Sequence, residues 1–353
     1  MSIDLFSDPT DNEKPKINGP EDFKFLIEQF ADLKIMRYQV PGFEELSLDK
    51  KVLVYYLSQA ALCGRDIIFD QNGKYNLVIR RTLENIYLTY SGNKEGAEWQ
   101  AFELYLKRVW FSNGIYHHYA SEKFLPGFNN EYLAQLVKNS NPSKFPVKDG
   151  QTVSQLILEL SPVIFDPDVL PKKVNLDAKD DLVLTSAVNF YEGVTEAEVE
   201  AFYKDMKQAD PERPLSYGLN SKLVKENGKV VEKIWKVGGG YSQAIEKIVF
   251  WLEKAITVAE NPEQKASFAK LAAYYKTGDL KTWDEYNVLW VEDLKSDIDM
   301  VNGFIESYED PLGRKGSWEA MVNFKDKEGT KRAKIISGNA QWFEDHSPVD
   351  SRF

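Results

Sequence analysis

Three stretches combine residue types and spacings that could do chemistry. In NGFIESYEDPLGRKG, residues 302–316, Glu306 sits among Phe304, Ile305 and Tyr308, and Glu309 and Asp310 follow before a Pro-Leu-Gly turn. A carboxylate on an apolar shelf with little water is a good receptor for a positive charge such as an α-ammonium, because a low local dielectric strengthens the pair. Desolvation by itself would raise the pKa of such an acid. The plainer alternative pairs Glu306 with a lysine or arginine of its own chain, and composition alone favours that alternative.

In RVWFSNGIYHHYASEKFLPGF, residues 108–128, aromatic side chains interleave with Ser112, Asn113, His117 and His118. Asn113-Gly114 should turn the chain and leave Asn113 with an amide free to bond a peptide backbone. The stretch is either a cleft wall or an aromatic core beneath a loop, and composition does not separate the two. In KVGGGYS, residues 236–242, a glycine run opens a helix after a strand and could in principle cradle a phosphate. It lacks both Gly-x-x-x-x-Gly-Lys-Ser/Thr and a full Gly-x-Gly-x-x-Gly, so a strand-to-helix connector is the better reading.

Metal and nucleophile chemistry find little support. The three histidines are His117, His118 and His346. Adjacent residues on a helix or strand point different ways, so His117 and His118 are poor co-ligands. No His-Glu-x-x-His pattern is present, nor any pair of histidines at i, i+4. The single cysteine, Cys63, permits neither an intramolecular disulfide nor a cysteine-based zinc site, and its apolar surroundings point to an inert thiol. No Gly-x-Ser-x-Gly elbow occurs.

The bulk composition sets the frame for these candidates. Hydrophobic residues make up 43% of the 353 residues and aromatics 13%, which is enough for a large core and argues against global disorder. The formal net charge of -11 argues against a nucleic-acid partner and suits cationic or amine-bearing ones. The start has neither a basic n-region nor an apolar h-region. No uninterrupted apolar run approaches the roughly 18 residues of a membrane span, so no membrane partner is expected and a cytoplasmic location is the default.

The elements that must position these residues follow from periodicity. Apolar spacing predicts helices over 21–34, 47–63, 76–90, 98–110, 131–138, 153–160, 241–260, 262–275 and 282–298. Residues 169–190, with their prolines and alternation, suggest strand. LVKENGKVVEKIWKV, residues 223–237, reads as a hairpin turning at Asn227-Gly228. The fold class is α+β, with a small antiparallel sheet or barrel among many helices.

WFSNGIYHHYASEKFLPGF, GGGYSQAIEKIVFWLEKA and NGFIESYEDPLGRKGSWEA, in this order and with this spacing, closely resemble the dipeptidyl peptidase III family. Its members are zinc-dependent exopeptidases that release dipeptides from the free N-termini of short peptides. The resemblance runs from about residue 23 to the last and is closest to bacterial forms. Residues 1–20, polar and carrying Pro9, Pro15, Gly19 and Pro20, read as a flexible arm. The resemblance implies, over 21–325, the lower lobe of a two-lobed peptidase with helices around a small antiparallel β-barrel. The upper, zinc-binding lobe would begin over 326–353. Glu306 matches the acid that receives the substrate ammonium and Tyr308 the tyrosine beside it, while Ile305 would line the adjacent subsite. Phe111, Ser112 and Asn113 match part of the lower-lobe wall, and the peptide would lie as an added strand along the barrel.

The family's His-Glu-x-x-Gly-His zinc motif and its later glutamate ligand have no counterpart up to Phe353, so no metal ligand and no catalytic base is assigned in this chain. Zinc belongs to the complete enzyme, and this chain alone is expected to be inactive. The expected partners are short peptides with a free N-terminus and the missing C-terminal half. A self-standing, non-catalytic peptide-binding protein is the alternative.

Overall fold

The computed structural model describes residues 23–204, 206, 208, 210–350 and 352, so the arm expected over 1–20 lies outside the described residues. The chain first forms a hairpin, β1 (Leu26–Phe30) with β2 (Leu33–Met36), where apolar spacing predicts a helix. Ala31 turns it with a left-handed φ of 47°. Tertiary contacts override the helical pattern: Glu28 pairs with Lys107 at 2.6 Å, and Asp32 lies 3.7 Å from His117.

Helices α1 (Leu48–Cys63), α2 (Arg65–Gln71), α3 (Asn76–Thr89) and α4 (Ala97–Phe111) follow. Ser47 caps α1 by accepting the Lys50 N–H, and Gly64 ends it. A Cβ at Gly64 would lie 2.1 Å from the Trp318 ring. By length and hydropathy the run Leu48–Gln71 could cross a membrane, yet Leu53, Leu57, Ala60, Ile67 and Phe69 are buried within the protein. Each such leucine stabilises the fold by about 2 kcal/mol.

Next come α5 (Asn130–Lys138), α6 (Val153–Phe165), α7 (Leu182–Thr185), β3 (Tyr191–Glu192), α8 (Glu196–Lys204), β4 (Ser221–Glu226) and β5 (Lys229–Ile234). The strand expected over 169–190 is instead a connector with one short helix, whose N-terminus Asp181 caps by accepting from Val183 and Leu184. The expected hairpin forms with Asn227 at φ 51° and Gly228 at φ 77°, the positive values of a type I′ turn.

The last elements are α9 (Ser242–Ile256), α10 (Pro262–Thr277), α11 (Leu280–Glu292), β6 (Ile298–Glu306), β7 (Ser317–Phe324), α12 (Lys327–Gly338) and α13 (Ala340–Asp345). The helix expected to reach residue 298 stops at Glu292, because Asp293 draws the N–H groups of Lys295 and Ser296 into a side-chain turn.

Among the described residues the strands form three small sheets, β1–β2, β3–β4–β5 and β6–β7, and no closed barrel. The three-stranded sheet is mixed, since β3 pairs parallel to β4. A barrel needs every edge paired, whereas Gln71 of α2 occupies the outer edge of β7, accepting from Trp318 N and donating to Gly316 O. Three apolar clusters hold the body together. One joins α1, α9, α10 and α11 to β6–β7 through Leu57, Leu252, Leu271, Phe304 and Trp318. A second lies within α3–α6, and a small third, with Val199, Tyr203 and Leu223, links α8 to β3–β5. Helices α12 and α13 have no buried residue.

Candidate functional site

Strand β6 alternates cleanly at first: Ile298, Met300, Asn302 and Phe304 are buried, while Asp299 is exposed and Val301 half-buried. Continued parity would send Glu306 into the core with Phe304. It does not, because Phe304 pairs with Trp318 and Glu306 with Ser317, leaving Ile305 as an extra residue without a partner. This bulge resets the alternation. Ile305 stays half-buried against the main core, and Glu306 comes out exposed at the end of the strand.

The loop beyond it is fixed by its own acid. Asp310, 3% exposed, accepts at Oδ2 from Arg314 N and Lys315 N, both at 2.8 Å, and from the Tyr191 hydroxyl at 2.8 Å. Gly313 N returns to Asp310 O at 2.9 Å, closing a turn with Pro311 at its second position. Leu312 packs into the small cluster around α8, and the Arg314 guanidinium lies 4.3 Å from the Tyr203 ring centre. Tyr308 remains 72% exposed beside Glu306.

The three acids of the stretch therefore meet different fates. Glu309 is neutralised by Lys173, whose Nζ lies 2.8 and 2.7 Å from its two oxygens and whose side chain is only 6% exposed. Asp310 is spent on backbone. Glu306 forms no ion pair among the described residues, so the own-chain pairing that composition favours is not found among them. Nor is the carboxylate shielded: Phe304 is buried and Ile305 half-buried, while Glu306 itself faces water. A further acid shares its neighbourhood. Burial and then the Glu306 charge raise the Glu319 pKa, and burial followed by Glu306, Glu309 and Glu319 raises that of Tyr308. The result is a local surplus of negative potential beside a neutral phenol.

The second wall is the end of α4 and the turn after it. Phe111 is 39% exposed and meets the His118 ring edge-on at 5.0 Å. Ser112 is buried, its N–H on Arg108 O, so only Phe111 and Asn113 present side chains outward. Asn113 has φ 51° and Gly114 φ 148°. The Asn113 side-chain amide makes no hydrogen bond among the described residues. A Cβ at Gly114 would sit 2.2 Å from Asn76 Nδ2, so the turn admits no larger residue there.

Two ties that sequence reasoning missed hold the walls together. Gln71 holds the base of β7, and the adjacent Asn72 donates to Asn113 O at 3.3 Å. One residue earlier, Asp70 accepts from Tyr241 OH at 2.7 Å and Asn189 Nδ2 at 3.0 Å. The last turn of α2 is thus a hub for four distant segments. Lys173 is a second tie, its N–H on Ser121 O at 2.8 Å while its amine holds Glu309. Burial and the neighbouring His117 lower the His118 pKa, with Asp32 opposing and Lys173 adding to the fall, which sets the Lys173–Glu309 pair beside this wall.

The zinc that the resemblance implies does not fit these residues. Among the described residues no group of three or more His, Cys, Asp or Glu is placed to hold a metal ion. His117 and His118 stack at 4.4 Å, and His117 Nδ1 accepts from the backbone of Tyr119 and Ala120. His346 stacks on Trp342 within the terminal helix pair.

Comparison with known proteins agrees with the sequence motifs. Residues 212–353 match the family model of peptidase family M49. Dipeptidyl peptidase 3 of Rattus norvegicus is 24% identical over 332 residues, covering 85% of this chain and 45% of the relative. That of Homo sapiens is 22% identical over 330 residues with the same coverage, and that of Dictyostelium discoideum 22% over 342 residues. The chain spans less than half the length of each of these relatives. Among solved structures, DPP III from Caldithrix abyssi superposes with a TM-score of 0.58 at 19% identity, covering 88% of this chain and 46% of that one. Dipeptidyl-peptidase III from Corallococcus sp. strain EGB gives 0.56 at 18%, with 88% and 45% covered. These superpositions speak for the fold. The chain is thus similar to the dipeptidyl peptidase III family, peptidase family M49, over a portion consistent with the N-terminal half of those relatives.

Proposed function

We propose that this chain is the substrate-gripping half of a zinc dipeptidyl peptidase, with Glu306 as the receptor for the α-ammonium of a short peptide. The observation that carries this is the Ile305 bulge, which turns out a carboxylate that has no cation partner among the described residues. Tyr308 flanks that position and Glu319 adds negative potential. Ile305, Phe111 and Asn113 would line the first subsites, with Ser112 supporting the turn from within. A peptidase that removes two residues at a time must measure from the amine to the scissile bond, and a fixed carboxylate does that by holding one end. Residues 326–353 would lead into the zinc lobe, and the cutting would belong to residues outside this chain.

Microcalorimetric titration at low salt with tetra-alanine and its N-acetyl form tests the proposal. An exposed ion pair contributes roughly 1 kcal/mol at most, so the free amine should bind about fivefold more tightly than the blocked peptide. Glu306→Gln should bring the two affinities together, and equal affinities in the unmodified chain would retire Glu306 as the receptor. The same preparation, given zinc, should release no naphthylamine from a dipeptidyl-naphthylamide. Turnover by the chain alone would place the chemistry within it.

A further inference from the structure

The loop that follows Glu306 ends in a lysine with no exposure at all. Lys315 is 0% exposed, in a residue type almost never buried completely. Its Nζ bonds the Tyr203 hydroxyl of α8 and, at 2.9 Å, Ser221 Oγ of β4. Both hydroxyls donate onward to one atom, Glu232 Oε1 of β5, at 2.8 and 2.6 Å. The rings of Tyr203 and of Tyr191 on β3 lie 4.9 and 5.6 Å from the nitrogen. Burial pushes the amine down to about 7, against the attraction of Glu232 and Asp310 and with the help of Arg314. Charged or neutral, Nζ keeps both hydroxyl partners.

A buried amine of this kind gives little net stability compared with an apolar side chain of the same volume. What it supplies is geometry, and the geometry reaches the site through one residue. Gly316 follows Lys315, donates to Leu219 O at 2.7 Å and accepts from Gln71 Nε2 at 3.1 Å. It lies so close to the bulge that a Cβ would come within 2.7 Å of the Phe304 carbonyl carbon and 3.0 Å of Ile305 N. The next residue, Ser317, is the register partner of Glu306.

We infer that Lys315 is a positioning residue of the peptide-amine site: tied through Tyr203 and Ser221 to Glu232, it fixes Gly316 and so the direction in which the Ile305 bulge presents Glu306. The inference rests on Glu306 as the amine receptor proposed above. It assigns a function to the β3–β5 sheet and α8, which hold the far end of the loop.

The ratio of affinities for tetra-alanine and N-acetyl tetra-alanine is the readout, because general loosening of the fold would weaken both peptides and leave the ratio alone. Lys315→Met should lower the ratio from about fivefold to below about twofold while the blocked peptide binds as before. Glu306→Gln in parallel separates the two claims. If it abolishes the preference and Lys315→Met does not, the positioning inference is overturned and the receptor stands. If Glu306→Gln leaves the preference intact, the receptor assignment fails first, and this inference with it. Should Lys315→Met lose its cooperative thermal transition, Tyr203→Phe decides, since it keeps the ring and deletes only the hydroxyl between Lys315 and Glu232. A ratio at least halved in that variant supports the inference, and an unchanged ratio sinks it.

Discussion

Asp310 and Asn113 each stand at a tight turn on the edge of the candidate site, yet the two turns are held differently. Around Asp310, side chains from distant elements do the holding: Tyr191 from β3, Tyr203 from α8 and Lys173 from the 169–190 connector all reach into the loop. Around Asn113 the backbone does most of it, through a left-handed residue followed by a glycine, with the Asn72 side chain donating to the Asn113 carbonyl and that of Asn76 accepting from Ile115 N. The first kind of turn is rigid and sensitive to change far away in sequence. The second is local and tolerates whatever the φ angle tolerates.

The largest expected effect tests the first kind. Asp310→Ala strands three backbone donors, those of Leu312, Arg314 and Lys315, and the hydroxyl of the half-buried Tyr191, and should cost about 3 kcal/mol in urea unfolding. A loss below about 1 kcal/mol would mean that the loop is not held by this carboxylate, and the contrast would collapse. The second effect is smaller. Asn113→Ala should cost about 1 kcal/mol, because alanine at positive φ carries the left-handed penalty, while Asn113→Gly should cost nothing measurable. Equal losses in both would show that the Asn113 side chain, not its backbone, shapes the turn.

The smallest effect sharpens the picture of the acidic face. The Glu319 pKa is raised in the folded protein by burial and then by Glu306. The folded state therefore holds more protons than the unfolded chain between the ordinary value and the raised one, and stability falls as pH climbs through that window. Glu319→Gln removes that loss. It should be the more stable protein at neutral pH, by less than about 1 kcal/mol for a half-buried group that water still screens, and the advantage should vanish below pH 4.5. A thermal melt at both pH values reads the sign.

What the sequence carried legibly was local. Ser47 and Gly64 bracket α1, Asn261 caps α10 with Pro262 at its first turn, and Asn227-Gly228 turns β4 into β5, each from residues adjacent to the feature they specify. The β6–β7 hairpin escaped because its core positions include Asn302, buried with a hydrogen bond from Tyr275, and because its turn is a long loop rather than a two-residue signal. The first hairpin escaped because 23–33 has helical spacing that only contacts with α4 and its flanking loop overrule. In the site, Glu306 and Tyr308 stood out as chemistry on an apolar run. Gln71, Lys173 and Lys315 did not, since each acts on a partner more than ninety residues away and no local pattern marks a polar side chain that will be buried.

The bulge at Ile305 has a consequence for how this surface can be altered. Because one additional residue resets the alternation, residue count rather than composition decides whether position 306 faces water or core. The core side of the strand is satisfied before the bulge, at Phe304, so position 306 works as a socket whose contents the fold does not constrain. Side chains of other charge or size can be placed there without repacking the interior, which makes it the natural coordinate for redirecting what this edge of the protein binds. Removing a single residue at 305, by contrast, would turn the socket inward and abolish it.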